Sequence, residues 1–174
     1  APGGEERRMT PPRTPPVRAG LLLLEADPWR AESLEVFLRS EGFDVSREER
    51  SSPKPSLILV NHSADTSPVQ PRLERLRADF PGAKILVFVR EVDARTAFPC
   101  LVAGVKGVLP FDARPDEVRA AINCVLNGSL WTPRPVLSAW VERVVRLGLG
   151  GGSAFTRAEQ RVLEAVREDL SNKE

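Results

Sequence analysis

The sequence is short of the residues that most reaction chemistry needs. Its 174 residues include one histidine, His62, and two cysteines, Cys100 and Cys124. A lone histidine supports neither a Ser/His/Asp arrangement nor a cluster of metal-binding imidazoles. The cysteines lie in apolar, helical-looking stretches, so small buried hydrophobes in a reducing cytosol are expected rather than a disulfide. Long apolar runs are missing too: Leu21 to Leu24 is too short for a membrane span, and no secretory signal pattern is seen. The expected location is the cytoplasm, without a membrane partner. Charge of one sign is also lacking. Lys and Arg number 25 against 24 Asp and Glu, a formal charge of +1, and this balance points to no particular partner. Finally, Glu25-Ala26-Asp27-Pro28 after the first apolar run contains no glycine, which argues against a phosphate-cradling loop of a nucleotide binder. No cofactor, no metal site and no enzymatic activity are expected.

What is present is a regular alternation. Hydrophobic residues make up 41 %, enough for one domain of ordinary size with an appendage. Residues 1–19 are rich in Pro, Gly, Arg and Glu and are expected to form a disordered tail, with Arg7, Arg8, Arg13 and Arg18 solvated. Leu21 to Leu24 reads as a first strand. Pro28 opens a helix whose Leu34, Phe37 and Leu38 recur at helical spacing, closed by Gly42. Phe43 to Val45 is a short second strand, and Ser46 to Pro55 leaves little room for a helix. Ser56 to Val60 and Lys84 to Val89 are continuous apolar runs, the mark of strands buried on both faces. Between them lies a helix from Gln70 to Phe80 with Leu73 and Leu76 inward. Asp93 to Ala103 looks helical, yet Pro99 falls in its middle at a cost of about 3 kcal/mol, which predicts a kink or a start only near Ala97. Gly107 to Leu109 is a fifth strand. Pro115 opens a helix with Val118, Ala121, Ile122 and Val125 inside and Gly128 at its end. The rhythm predicts an α/β fold, a doubly wound five-stranded parallel sheet.

After Gly128 the pattern changes. Thr132-Pro133 starts a further helix with Leu137, Trp140, Val141 and Val144 on one face, and Leu147 to Ser153 reads as a flexible glycine-rich linker. Thr156-Arg157-Ala158-Glu159 is a capping box before a stripe of Val162, Leu163 and Val166, and Ser171-Asn172-Lys173-Glu174 is a second box. The expected organisation is a tail (1–19), a first domain (20–128), a helix and linker (129–153), and the start of an all-α domain (154–174) cut inside its span.

In open α/β sheets the chemistry gathers past the carboxyl ends of the strands. The third strand ends at Asn61. A carboxylate there could attack phosphorus and hold a divalent cation, whereas an amide is a poor nucleophile and a weak, neutral ligand. Glu25 and Asn61 read most simply as polar groups finishing strand ends, and a small-ligand role for them stays open. Asp65, in the loop beyond, is a candidate substitute acceptor.

Several pieces, in order and spacing, carry a family likeness. They are Leu23-Leu24-Glu25-Ala26-Asp27-Pro28, Ser56 to Asn61, Gly104-Val105-Lys106-Gly107-Val108 and Arg114-Pro115-Asp116-Glu117-Val118, followed by Asn127 to Pro133, Phe155 to Leu163 and Leu170 to Glu174. From Gly20 to Gly128 the chain resembles the receiver domain of two-component response regulators. As a whole it resembles their LuxR/NarL-type branch. The resemblance implies a flavodoxin-like receiver, a helical linker and a truncated LuxR-type helix-turn-helix.

In that family an aspartate is phosphorylated, an acidic pair helps it hold Mg2+, and a hydroxyl, an aromatic and a lysine relay the change. Carried over by position, the acidic pair falls on Glu25 and Ala26, with Asp27 beside them, and the acceptor on Asn61. The hydroxyl falls on Val89, the aromatic on Val108 and the lysine on Phe111. The resemblance therefore implies a degenerate receiver with no catalytic or metal residue. It implies a DNA-binding transcription regulator that acts by dimerisation or partner binding rather than by aspartyl phosphorylation. DNA would be met through the missing C-terminal part, and no residue present is assignable to base contacts. A homodimer is expected through the family's fourth helix, fifth strand and fifth helix, while Trp131 and Trp140 could instead anchor the post-receiver helix. The alternatives are a protein-interaction module without DNA binding, or an atypical phosphorelay receiver. In a gel shift the 174 residues alone should show only nonspecific affinity, with Kd about 10⁻⁴–10⁻⁶ M at physiological salt. Tight, sequence-selective binding would contradict this reading.

Overall fold

The computed structural model describes residues 19–49, 54–62 and 69–149, with side chains as far as Arg143. The expected tail up to Arg18, the candidate acceptor Asp65, and the segment 150–174 with both capping boxes lie outside the described residues.

Five parallel strands form one sheet: β1 (Gly20–Leu24), β2 (Asp44–Ser46), β3 (Leu57–Asn61), β4 (Lys84–Val89) and β5 (Gly107–Pro110), in the order β2-β1-β3-β4-β5. β1, β3, β4 and β5 are apolar because parallel strands are covered on both faces, while β2, at the sheet edge, buries only Val45. Along β3, Leu57, Ile58, Leu59 and Val60 are all 0 % exposed. Period two then divides them between two cores. One face carries Leu22, Ile58, Val60, Ile85, Val87 and Val108. It is covered by α2 (Val69–Asp79) and α3 (Ala94–Val102), elements that supply Leu73, Leu76, Ala97 and Cys100 to the same core. The other face carries Leu21, Leu23, Leu57, Leu59, Leu86 and Phe88, under α1 (Pro28–Ser40) and α4 (Pro115–Leu126). The strand order reverses between β1 and β3, so the crevice of the fold lies where these two strands end, at Leu24 and Asn61.

The inner stripe of α4 is as expected: Val118, Ala121, Ile122 and Val125 are buried. No helix is found between β2 and β3 among the described residues. Two expectations are corrected. First, α3 starts at Ala94, three residues before Ala97, and keeps Pro99 inside it. Its start is fixed by a capping box in which Asp93 accepts from the Thr96 N–H at 2.8 Å and Thr96 accepts from the Asp93 N–H at 3.1 Å. The bond lost at Pro99 is offset by burial of Ala97 and Cys100 in the sheet core and of Leu101 against Trp140 of α5. Second, the helix after Thr132-Pro133 is α5 (Arg134–Leu149), and it turns Val136 and Trp140 inward while Val141 is 44 % exposed. It reaches Leu149, into the stretch read as linker. Trp140 sits edge-on against Phe98 of α3, ring centroids 5.0 Å apart, so α5 is anchored on α3.

Trp131 adds a further tie. Its N–H donates to the Lys106 carbonyl at 2.9 Å and its carbonyl accepts from the Val108 N–H at 2.9 Å, so it lies beside β5 as a one-residue strand. Among the described residues, no helix is long and apolar enough to cross a membrane.

Gly107, the first residue of β5, tests the tightness of this packing. A Cβ there would lie 3.0 Å from Val125 Cγ2 and 3.1 Å from Leu86 Cγ, both side chains of the α4 core. Gly107→Ala should therefore destabilise by overpacking, by about 1–3 kcal/mol. The measurement is urea unfolding, with a lower midpoint at unchanged slope.

Candidate functional site

Past the ends of β1 and β3 the chain places three side chains in contact. Glu25 follows β1 directly, and its side chain is 1 % exposed. One carboxylate oxygen, Oε1, accepts from the Asp27 N–H at 2.9 Å and from the Asn61 side-chain amide. That orientation of Asn61 is chemically required, since two facing acceptor oxygens would repel. Asn61 reaches Glu25 because it continues the row Leu57–Leu59, which leans toward α1. The main chain of Asn61 is held as well: Arg72 Nη1 donates to its carbonyl at 3.0 Å.

The third member is Arg30. It lies in the first turn of α1, whose start is set by Pro28 and by Asp27, the N-cap that accepts from the Arg30 N–H at 2.9 Å. The Arg30 side chain turns inward over the sheet. Nε lies 2.9 Å from Glu25 Oε2, a charge contact whose N–H is not aimed along the line, because both atoms are otherwise buried without a hydrogen bond. Nη1 donates to the Phe111 carbonyl. The guanidinium carbon stands 4.9 Å from the Phe88 ring centroid and 5.0 Å from that of Phe111. Such contacts contribute about 0.5–2 kcal/mol each when partly desolvated. A cation carried by α1 thus stands against the ends of β1, β4 and β5.

The remaining positions singled out in the sequence fall elsewhere. Asp27 is committed to the cap, and Ala26 is exposed. Val89 and Val108 are buried in the core under α2 and α3. Phe111 joins the site through its ring and its carbonyl. His62 follows Asn61 in the chain, its N–H donating to the Phe88 carbonyl at 2.9 Å; burial, and then the charge of Arg72, lower its pKa. Cys100 is buried, and burial pushes its thiol up to about 11, which leaves it inert. Cys124 is half-buried.

Magnesium demands several oxygen ligands in octahedral array at about 2.0–2.1 Å. The residues here do not fit it. Among the described residues, Glu25 is the one carboxylate turned into the site, Asp27 being engaged in the helix cap, and the Arg30 guanidinium already lies against Glu25. Among the described residues, no group of three His, Cys, Asp or Glu could hold a metal ion.

Arg30 carries no mark in the sequence, where an arginine in the first turn of a helix reads as solvated surface. The available signal was the pair Phe88 and Phe111 at the ends of adjacent strands, two aromatic faces open to a cation.

No family profile and no curated protein matches the sequence. The fold matches many solved structures. A two-component response regulator of the LuxR family from Aurantimonas sp. SI85-9A1 aligns at TM-score 0.59 and 17 % identity, over 74 % of this chain and 99 % of its own. A response regulator from Thermotoga maritima aligns at 0.56 and 16 %, over 64 % and 99 %. The Salmonella typhimurium RcsB response regulator, in a structure described for its conformational dynamism in DNA interaction, aligns at 0.57 and 9 % identity over 88 % of this chain. The chain has the flavodoxin-like fold of response-regulator receiver domains.

Proposed function

We infer that this chain is a DNA-binding transcription regulator of the LuxR type whose receiver domain signals without aspartyl phosphorylation. The observation that carries the reading is the site itself. At the position where a receiver's acceptor would stand is Asn61, its amide engaged by Glu25, and the charge of Glu25 is met by Arg30 from within the chain. An amide there forms no phosphoanhydride, and a guanidinium there leaves no place for a divalent cation. The domain is no enzyme on this reading and works through contacts with a partner or a second copy. Support for a DNA-reading part comes from the capping boxes at Thr156 and Ser171 and from the LuxR-family and RcsB neighbours of the fold. In the family a second copy often meets the fourth helix, fifth strand and fifth helix. In this chain those are α3, β5 and α4, and α5 with Trp131 already covers α3 and the edge of β5.

Two measurements test the reading. Incubation with acetyl phosphate and Mg2+ should leave the intact mass unchanged, and a gain of one phosphoryl group would refute it. The role of Arg30 is checked by a double-mutant cycle. Arg30→Met strands a buried carboxylate and should cost about 3 kcal/mol. Glu25→Gln added to it should restore more than half of that loss in denaturant unfolding.

A further inference from the structure

Beside the site just described lies a cleft that the proposed function does not use. It opens between α1 and α4, over the ends of β4 and β5, with a volume of about 210 Å³. Arg30, Leu34, Phe37, Phe88, Phe111 and Val118 form most of its wall. The wall is largely hydrocarbon and aromatic, with one strong donor group. A dry apolar cavity of about 150 Å³ holds a benzene, so this cleft has room for one or two fused rings.

Its polar recognition comes down to Arg30. Nε faces Glu25 and Nη1 faces the Phe111 carbonyl, while the side chain is 25 % exposed. No hydrogen bond of Nη2 to a described residue is found, and guanidinium carries five N–H donors in a planar fork. The charge of Arg30 is already balanced by Glu25, 2.9 Å away. An arriving carboxylate would gain the free donors but would stand close to a second, buried carboxylate. A neutral acceptor gains the same hydrogen bond without that repulsion.

We propose that this cleft is a binding site for a small, neutral, planar aromatic molecule bearing a carbonyl, its ring against Leu34, Phe37 and Phe111 and its oxygen on the Arg30 guanidinium. The binding is independent of whether residues 154–174 belong to a DNA-reading domain.

The test uses the full chain, labelled with 15N, and coumarin as the probe, with naphthalene and 2-naphthoate as matched arms. Coumarin should bind with submillimolar Kd and shift the amide signals of Arg30, Leu34, Ala113 and Val118. Naphthalene, without the acceptor, and 2-naphthoate, with the added charge, should each bind at least fivefold more weakly. Ser33→Phe should abolish the shifts with the melting temperature kept. Ser33 borders the cleft, and its hydroxyl contributes only a bond to the Trp29 carbonyl within α1. Arg30→Lys should weaken coumarin at least fivefold and naphthalene by a smaller factor. Absence of shifts at 2 mM coumarin, or shifts that survive Ser33→Phe, would overturn the site. Tighter binding of 2-naphthoate than of coumarin would overturn the neutral ligand class. Concentration-dependent broadening of the same signals without any probe would assign the cleft to a second copy, through the 82 % exposed Trp29, and would equally overturn the proposal.

Discussion

A carboxylate with 1 % of its side chain exposed must find its compensation within the protein, and the upper end of this molecule is arranged around that need at Glu25. An isolated buried charge costs far more than a domain's net stability. Glu25 is met by an N–H from its own loop, an amide from β3 and a guanidinium from α1. Each partner comes from a different element, so the contact also fixes how α1 sits on the sheet. Phe88 and Phe111 complete the arrangement by flanking the guanidinium, bringing in the ends of β4 and β5.

A cation supplied by the chain differs in kind from one supplied by the solvent. It cannot dissociate, its local concentration does not follow the medium, and it imposes one arrangement on the strand ends. A site completed by a dissociable ion gains stability with ion concentration. A tethered counter-charge contributes the same at every ionic composition, apart from screening at its exposed quarter. The rigidity extends to the opposite face. Trp140 fixes α5 to α3, and Arg77 donates to the Ala103 carbonyl at 3.0 Å, closing the end of α3 where Gly104 turns at φ +86°.

Much of this was legible in the sequence. β3 and β4 are continuous apolar runs because parallel strands have no wet face, and the stripe from Val118 to Val125 repeats at helical spacing for a helix wet on one side. Asn61 and Glu25 could be placed at strand ends by counting. Other features depended on what the chain meets after folding. Of the kink or late start expected at Pro99, the late start does not occur, because the proline penalty is local while the burial that offsets it comes from the sheet core and from α5. The inner face of α5 was placed one residue off, with Val136 buried and Val141 exposed, because that face is decided by where Phe98 and Leu101 stand. Arg30 was invisible for a stronger reason: its partners lie on loops and strands up to 81 residues away, and sheet order alone brings them to it.

Trp131 also bears on how the molecule avoids joining others. An open sheet ends in rows of unpaired backbone groups that can template a foreign strand. Here the β5 border is sealed by two main-chain bonds to Trp131, and the β2 border is a strand of three residues, bounded by exposed Asp44 and followed by charged Arg47, Glu48 and Glu49. A border that short and that charged offers little purchase for strand addition. Cross-strand polymerisation is thereby discouraged at both margins of the sheet, and association is left to helix faces, where side-chain identity rather than generic backbone pairing decides the partner.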